Sequence, residues 1–455
     1  MKEFDVVIKG TVVKHDEIIQ DGFVAIEGET IARVGAGSPP PAKQLVDEIG
    51  LVILPGGIDA QVHSRSQADR EGFIWSTRSA ASGGITTIVD MPYDADNLIC
   101  NADRFNAKVD DVRKNARVDV ALYATIDPAE GTRRIRELVA AGAAGFKFST
   151  FGTDPRRFPR IPNYLLFQCF QEIAPFDVVA GVHNENEEAV NHYVEAVNRS
   201  DVSDWRAHAM SRPKITETLA MVEIYELAAE AGCRGHVVHC SVGRGYDMCA
   251  GYRSLGADTT IEACIHYLTL NHEEHAPVLK GLCKINPPIR PKAEVEAIWR
   301  HLEKGNVTVV STDHVSWSLD RKTDPEMLKN ASGAPGLEAL YPLLLTGCHH
   351  RGLSLHHAAR VLAYNPARLF NLQDRKGSLE VGRDADIAVF RQTPDVYDPR
   401  ASGNNISDWS PYEGMTLDFK LSKTFLRGTL VCDQGTVLAK PGTGRFLKPS
   451  TPPKA

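Results

Sequence analysis

The stretch Leu51-Val52-Ile53-Leu54-Pro55-Gly56-Gly57-Ile58-Asp59-Ala60-Gln61-Val62-His63 decides the fold. It reads as a near-continuous apolar strand ending in polar side chains, the pattern of a strand covered on both faces. Gln61 and His63 are two apart, so both point to one face. Seven further strand candidates follow: Ile85–Asp90, Val118–Tyr123, Gly145–Phe148, Val178–His183, Gly235–His239, Asp258–Glu262 and Val307–Asp313. Helix-like stretches lie between them, among them Arg133–Ala141, Glu217–Ala231 and Glu294–Lys304. Alternating strand and helix implies a parallel sheet. Eight such strands in about 250 residues imply an α/β fold of the (β/α)8 TIM-like barrel type.

Outward from this core, both ends of the chain are rich in short strands. Phe4–Gly10, Gly22–Gly28 and Thr30–Gly35 lie at one end, and Ala385–Phe390 and Lys423–Val431 at the other. Together they suggest one small β-sandwich built from both termini. The expected division is 1–54 and 375–440 for the sandwich, 55–374 for the barrel, and 441–455 for a C-terminal tail, loose over Lys448–Pro453.

The composition is that of an ordinary globular protein. The 455 residues carry 51 Lys and Arg against 58 Asp and Glu, a formal charge of −7. That balance argues against a nucleic-acid partner or an anionic membrane surface. No apolar run approaches the roughly 18 residues of a membrane helix, and Met1–Asp5 leads straight into a strand rather than a signal peptide. The nine cysteines are scattered without a Cys-x-x-Cys pair, as reduced thiols of a cytoplasmic protein would be.

Chemistry concentrates at the strand ends, where barrel enzymes place their sites. His63, Lys147, His183, His239 and Asp313 fall on strands 1, 4, 5, 6 and 8. Imidazoles with a carboxylate form a credible ligand set for zinc. A buried lysine is costly as an ammonium; a neutral one can take up CO2 as a carbamate, an anion able to bridge two metals. Singly, a strand-end His is more often a hydrogen-bonded core residue, and an apolar-flanked Lys usually snorkels. The ordered coincidence of five favours the metal reading. His272, His275, His349, His350, His356 and His357 lie off the strand ends and read as bystanders, and His266 as a packed structural residue.

At this point the chain resembles the amidohydrolase superfamily, in its cyclic-amidase branch of hydantoinases, dihydropyrimidinases, allantoinases and dihydroorotases. The resemblance rests on Pro55–Asp59, Ser82–Thr87, Gly142–Lys147, Val238–Ser241, Glu262–Leu268, Asn286–Arg290, Thr312–His314, Ala334–Glu338 and Gly377–Asp386. It implies metal-dependent hydrolysis of C–N bonds in a cyclic amide or ureide, with Asp313 both a metal ligand and the base and acid working with a metal-bound hydroxide. It implies one or two Zn2+ per chain, with Mn2+ or Co2+ as alternatives, a carbamate on Lys147, and a homo-oligomer, tetramer or dimer. The family's first strand reads Asp-x-His-x-His, and here the first histidine is Gln61. An amide oxygen is a poorer zinc ligand than imidazole, which leaves open weak ligation, an empty buried site or a different metal.

The substrate side is more divided. Asn286 matches the position that holds the cyclic amide, and the Ser332–Gly336 loop offers backbone contacts, Gly336 included. Dihydropyrimidinases carry a Tyr five residues after the bridging Lys; Gly152 stands there instead. Ser211–Pro213, Ala231–Arg234 and Ser410–Met415 look most like allantoinase and L-hydantoinase. Arg65 matches the dihydroorotase arginine that grips a substrate carboxylate, although Tyr93 replaces its usual companion Asn. A second alternative is a non-catalytic assembly protein of the dihydropyrimidinase-like kind.

Overall fold

The computed structural model describes residues 3–67, 70–95, 97–154 and 157–450. The first sheet opens with β1 (Phe4–Val13), β2 (Ile18–Glu27), β3 (Thr30–Ala36) and β4 (Ala42–Pro55). The barrel follows as β5 (Gly57–Val62), β6 (Ile85–Asp90), β7 (Asp119–Ala124), β8 (Gly145–Ser149), β9 (Val179–His183), β10 (Gly235–Val237), β11 (Thr259–Cys264) and β12 (Val309–Ser311). The chain then returns to the first sheet with β13 (Ile387–Val396), β14 (Thr416–Leu426), β15 (Thr429–Asp433) and β16 (Thr436–Val437).

The eight middle strands pair in chain order, all parallel. Their residues are almost all buried, as helices on the outer face require. The seam between first and last strands is closed by a parallel bridge from Val62 to His314 and by the His63 N–H donating to the His314 carbonyl at 3.0 Å. The helices Ile135–Ala141, Lys214–Ala231 and Lys292–Glu303 lie where the sequence predicts them.

Three expectations are corrected. Leu51–His63 is not one strand. Residues 51–55 end β4, which pairs with β1 and β13 of the other sheet, and the chain breaks at Gly56 before entering the barrel. A Cβ at Gly56 would lie 2.3 Å from Thr86 Oγ1, so only glycine lets the two sheets meet this closely. Lys423–Val431 is likewise two strands, turned at Arg427 and Gly428, whose φ values are +46° and +73°. The tail is docked rather than loose as far as residue 450. The Leu447 N–H donates to the Val120 carbonyl at 2.8 Å, and Ser450 bonds Asn371. Residues 451–455 of the expected tail lie outside the described residues.

The two sheets are joined by a buried charge cluster that the sequence did not reveal. Lys376 Nζ lies 2.7 Å from Asp119, 2.9 Å from Asp384 and 2.7 Å from Asp386. Arg427 also pairs with Asp119. Asp119 opens β7, so the cluster sits at the N-terminal end of the barrel, the end concerned with stability. Among the described residues this is the one trio of acidic side chains close enough to hold a cation, and the Lys376 ammonium already fills its centre. All nine cysteines are buried and unpaired in disulfides. Among the described residues no helix is long and apolar enough to cross a membrane.

Candidate metal centre

The site grows from Asp59 at the base of β5. Its buried carboxylate accepts the backbone N–H groups of Gln61 at 3.2 Å and Thr312 at 3.1 Å, and the Thr312 hydroxyl. Burial pushes its pKa up to about 7 in spite of these bonds. Asp59 thereby ties the first strand to the chain leaving the last. That tie sets Gln61 and His63 against Asp313: Gln61 Nε2 donates to Asp313 Oδ1 at 2.6 Å, and His63 Nε2 lies 3.2 Å from the same oxygen. The Gln61 Oε1 atom is buried and has no hydrogen-bond partner.

The opposite side of the barrel mouth supplies two imidazoles. His183 ends β9 and His239 lies two residues past β10. His183 Nδ1 and His239 Nε2 face each other at 2.9 Å. The far nitrogen of His183 lies 2.8 Å from Glu185 Oε2, and Glu185 is in turn paired with Arg212 at 2.5 Å. Burial opposes ionisation of Glu185, but Arg212 and His183 outweigh it and hold its pKa below the usual carboxylate range. With Nε2–H committed to Glu185, Nδ1 carries the His183 lone pair into the cavity, the arrangement in which a metal-binding histidine is oriented by a carboxylate. Burial lowers the pKa of His183, and lowers that of His239 further because His183 and Lys147 stand beside it. Both rings are therefore held neutral, the form that ligates.

Lys147 lies in β8 between the two groups and is 1% exposed. Its Nζ packs 5.3 Å from the centroid of Phe158 and 5.9 Å from that of Tyr93. Burial brings its pKa down to about 7, against the pull of Asp313 and Glu262. His239 and Asp313 both hold left-handed backbone, with φ of +40° and +49°, a strained region for such residues that clusters at functional sites. The buried Glu262 accepts the His239 N–H at 3.1 Å and braces the first of these turns.

Gln61, His63, Lys147, His183, His239, Asn286 and Asp313 all line one cavity of about 350 Å³. Asn286 Oδ1 is buried without a partner. Two predicted residues fall outside. Arg65 is spent on Asp94, at 2.9 Å, and on Asp111. It lines a separate, larger cavity of about 440 Å³ that contains none of the ligand candidates. The dihydroorotase-like clamp on a substrate carboxylate is thus corrected: two carboxylates of the protein already neutralise this guanidinium. The Gly336 N–H donates to His314 Nδ1 at 3.1 Å, so it holds the strand end; Ser332 and Gly333 line the cavity in its place. His266 is buried and does not line it.

The donor set fits a divalent cation. Two neutral imidazole nitrogens converge, a depressed lysine stands beside them, and an amide oxygen lacks a donor. A cation would satisfy all of them. Asp59 and Glu262 lie in the motif segments but carry no role legible in the sequence, and Glu185 stands in none of them, although it is two residues past His183. Arg290, at the end of the Asn286–Arg290 motif, bonds Ser241 Oγ at 2.9 Å and pairs with Glu217 at 2.5 Å, locking the loop after His239.

The amidohydrolase family model matches residues 52–431. The chain belongs to the amidohydrolase family. Among amidohydrolases it is 34% identical over 453 residues to an allantoinase of Rubrobacter xylanophilus, covering 99% of this chain and 98% of the relative. It is 31% identical over 451 residues to an L-hydantoinase of Paenarthrobacter aurescens, covering 98% of each. The solved structure of the L-hydantoinase (dihydropyrimidinase) from Arthrobacter aurescens superposes with a TM-score of 0.92 at 30% identity, over 98% of this chain and 100% of that one. These relatives set this amidohydrolase in the cyclic-amidase branch of the superfamily.

Proposed function

We propose that this amidohydrolase opens a cyclic amide or ureide ring by metal-dependent hydrolysis, in the manner of hydantoinases and allantoinases. The observation that carries the reading is the convergence of His183 Nδ1 and His239 Nε2 at 2.9 Å beside a lysine whose pKa is brought to about 7. His183, His239 and a carbamate on Lys147 would hold one cation, and His63, Asp313 and the Gln61 amide oxygen would offer the weaker second place. A divalent cation so held lowers the pKa of water towards neutrality and polarises a carbonyl.

The remaining work falls to the protein. Lys147 loses a proton as its neutral amine adds CO2, which turns a buried cation into an anion and a ligand. Glu185 fixes the His183 tautomer. Gln61 holds Asp313 by Oδ1, which leaves Oδ2 to take a proton from the attacking water and pass it to the leaving ring nitrogen. Asn286 Oδ1, buried and unpaired in the cavity, would accept a ring N–H. A cavity of about 350 Å³ suits a five- or six-membered ring with a modest substituent.

The test is turnover of allantoin, hydantoins, dihydrouracil and dihydroorotate by the protein before and after chelation. Ring opening that is lost with the metal and restored by Zn2+, Mn2+ or Co2+ supports the reading. No ring opening of any member by metal-loaded protein overturns it in favour of an assembly role.

A further inference from the structure

The cavity has a second feature that the ring-opening chemistry does not use. Two guanidinium groups, Arg157 and Arg321, line it together with the metal-ligand candidates. No ion pair joins either guanidinium to a carboxylate among the described residues, although the Asp154 carboxylate, which also lines the cavity, accepts the Arg157 backbone N–H at 3.1 Å. Arg157 donates from Nη1 to the Ser66 carbonyl at 2.8 Å, and its Nε–H is buried with no acceptor. Arg321 stacks over Trp317, with the guanidinium carbon 4.9 Å from the ring centroid, and is exposed. Lys147 and His183 are 1% and 6% exposed, so the ligand candidates form the floor and Arg321 stands at the mouth.

A ring whose amide reaches the floor would share the cavity with these two side chains. A buried guanidinium donor without an acceptor is costly, and an anion supplies what it lacks. Stacking on Trp317 holds Arg321 in place while leaving its N–H edge open. Arg65 does not compete, because Asp94 and Asp111 neutralise it outside the cavity.

We propose that the preferred substrate is a cyclic amide bearing a carboxylate substituent, recognised by Arg157 with Arg321 as its partner at the mouth. The inference rests on the ring-opening reading and adds the substrate class to it. Arg157 is the specificity-determining residue, and Trp317 positions Arg321.

The experiment compares two hydantoins of equal shape, one with a carboxymethyl group at C5 and one with a carbamoylmethyl group. kcat/KM is measured on the metal-loaded full-length protein, and binding by calorimetry on the metal-loaded Asp313→Asn form. The expected result is a preference for the carboxymethyl compound of at least tenfold, carried by KM and weakened by added NaCl. Arg157→Gln abolishes the preference, Arg321→Gln reduces it, and Arg157→Lys retains part of it. The readout is a ratio between two ligands on one preparation, so partial misfolding of a variant does not mimic it. Equal use of the two compounds, or a preference that survives in the Arg157→Gln/Arg321→Gln double variant, overturns the substrate assignment alone. Failure to bind or open either compound by protein that opens another ring of the panel overturns the substrate assignment alone, and failure on every ring overturns the ring-opening reading and this inference with it.

Discussion

Gln61 Nε2 and Asp313 Oδ1 lie 2.6 Å apart across the seam where the first and last barrel strands meet. The same amide leaves Oε1 buried and unpaired. Where the family pattern has a histidine, this chain has an amide that donates to the Asp313 carboxylate and keeps one weak oxygen donor free. Replacing Gln61 by His is expected to raise bound metal by up to one further equivalent per chain, read by elemental analysis after gel filtration. Gln61→Ala is expected to lower kcat about tenfold with little change in KM, about 1.4 kcal/mol of transition-state stabilisation. Unchanged metal content in Gln61→His would separate this residue from the metal.

Lys147 is the one ligand candidate that must be made. Its ordinary pKa is about 10.4, and burial brings it to about 7. Only the neutral amine takes up CO2, so the competent form is depleted below pH 7 and dominates above it. Reconstitution of chelated protein at fixed dissolved CO2 is expected to accelerate between pH 6 and 8 and then level off. Lys147→Ala is expected to lose metal and at least 100-fold in activity, about 2.7 kcal/mol. Retained turnover in that variant would remove the carbamate from the account.

Glu185 does not touch the cavity, yet it fixes which nitrogen of His183 faces it. Glu185→Gln leaves Arg212 without its anion and lets the ring turn. Metal affinity is expected to fall about 10- to 100-fold, measured by competition with a chromophoric chelator, while the fold reports unchanged circular dichroism. His183→Ala is expected to lose more.

Lys376 tests the fold separately from the chemistry. Replacing it with Met leaves Asp119, Asp384 and Asp386 buried together without their ammonium. Breaking such a cluster costs about 3–5 kcal/mol, read as a lower urea midpoint. The cluster lies at the far end of the barrel from the cavity, so kcat per folded chain is expected to hold.

The barrel and the ligand candidates were legible because each strand end carried its own signal. His63, Lys147, His183, His239 and Asp313 each stand at or next to a short apolar run, and their order along the chain is their order around the barrel. What was not legible depends on contacts between distant segments. Nothing local says that Leu51–Pro55 belongs to the other sheet, or that Gly56 must lack a side chain to clear Thr86. Arg65 was misread because its partners Asp94 and Asp111 come from a neighbouring loop and helix that no spacing announces. Arg157 and Arg321 are 164 positions apart and share only the cavity that both line.

The central claim is that a metal held by these strand ends opens a cyclic amide. The most direct measurement is ring opening of a hydantoin and of allantoin by protein stripped with chelator and then titrated with Zn2+, Mn2+ or Co2+ in the presence of bicarbonate. The account predicts no turnover in the stripped protein and turnover that rises in step with bound metal, to a plateau between one and two equivalents per chain. Ring opening by the stripped protein at the full rate, or none at any metal loading, would contradict it.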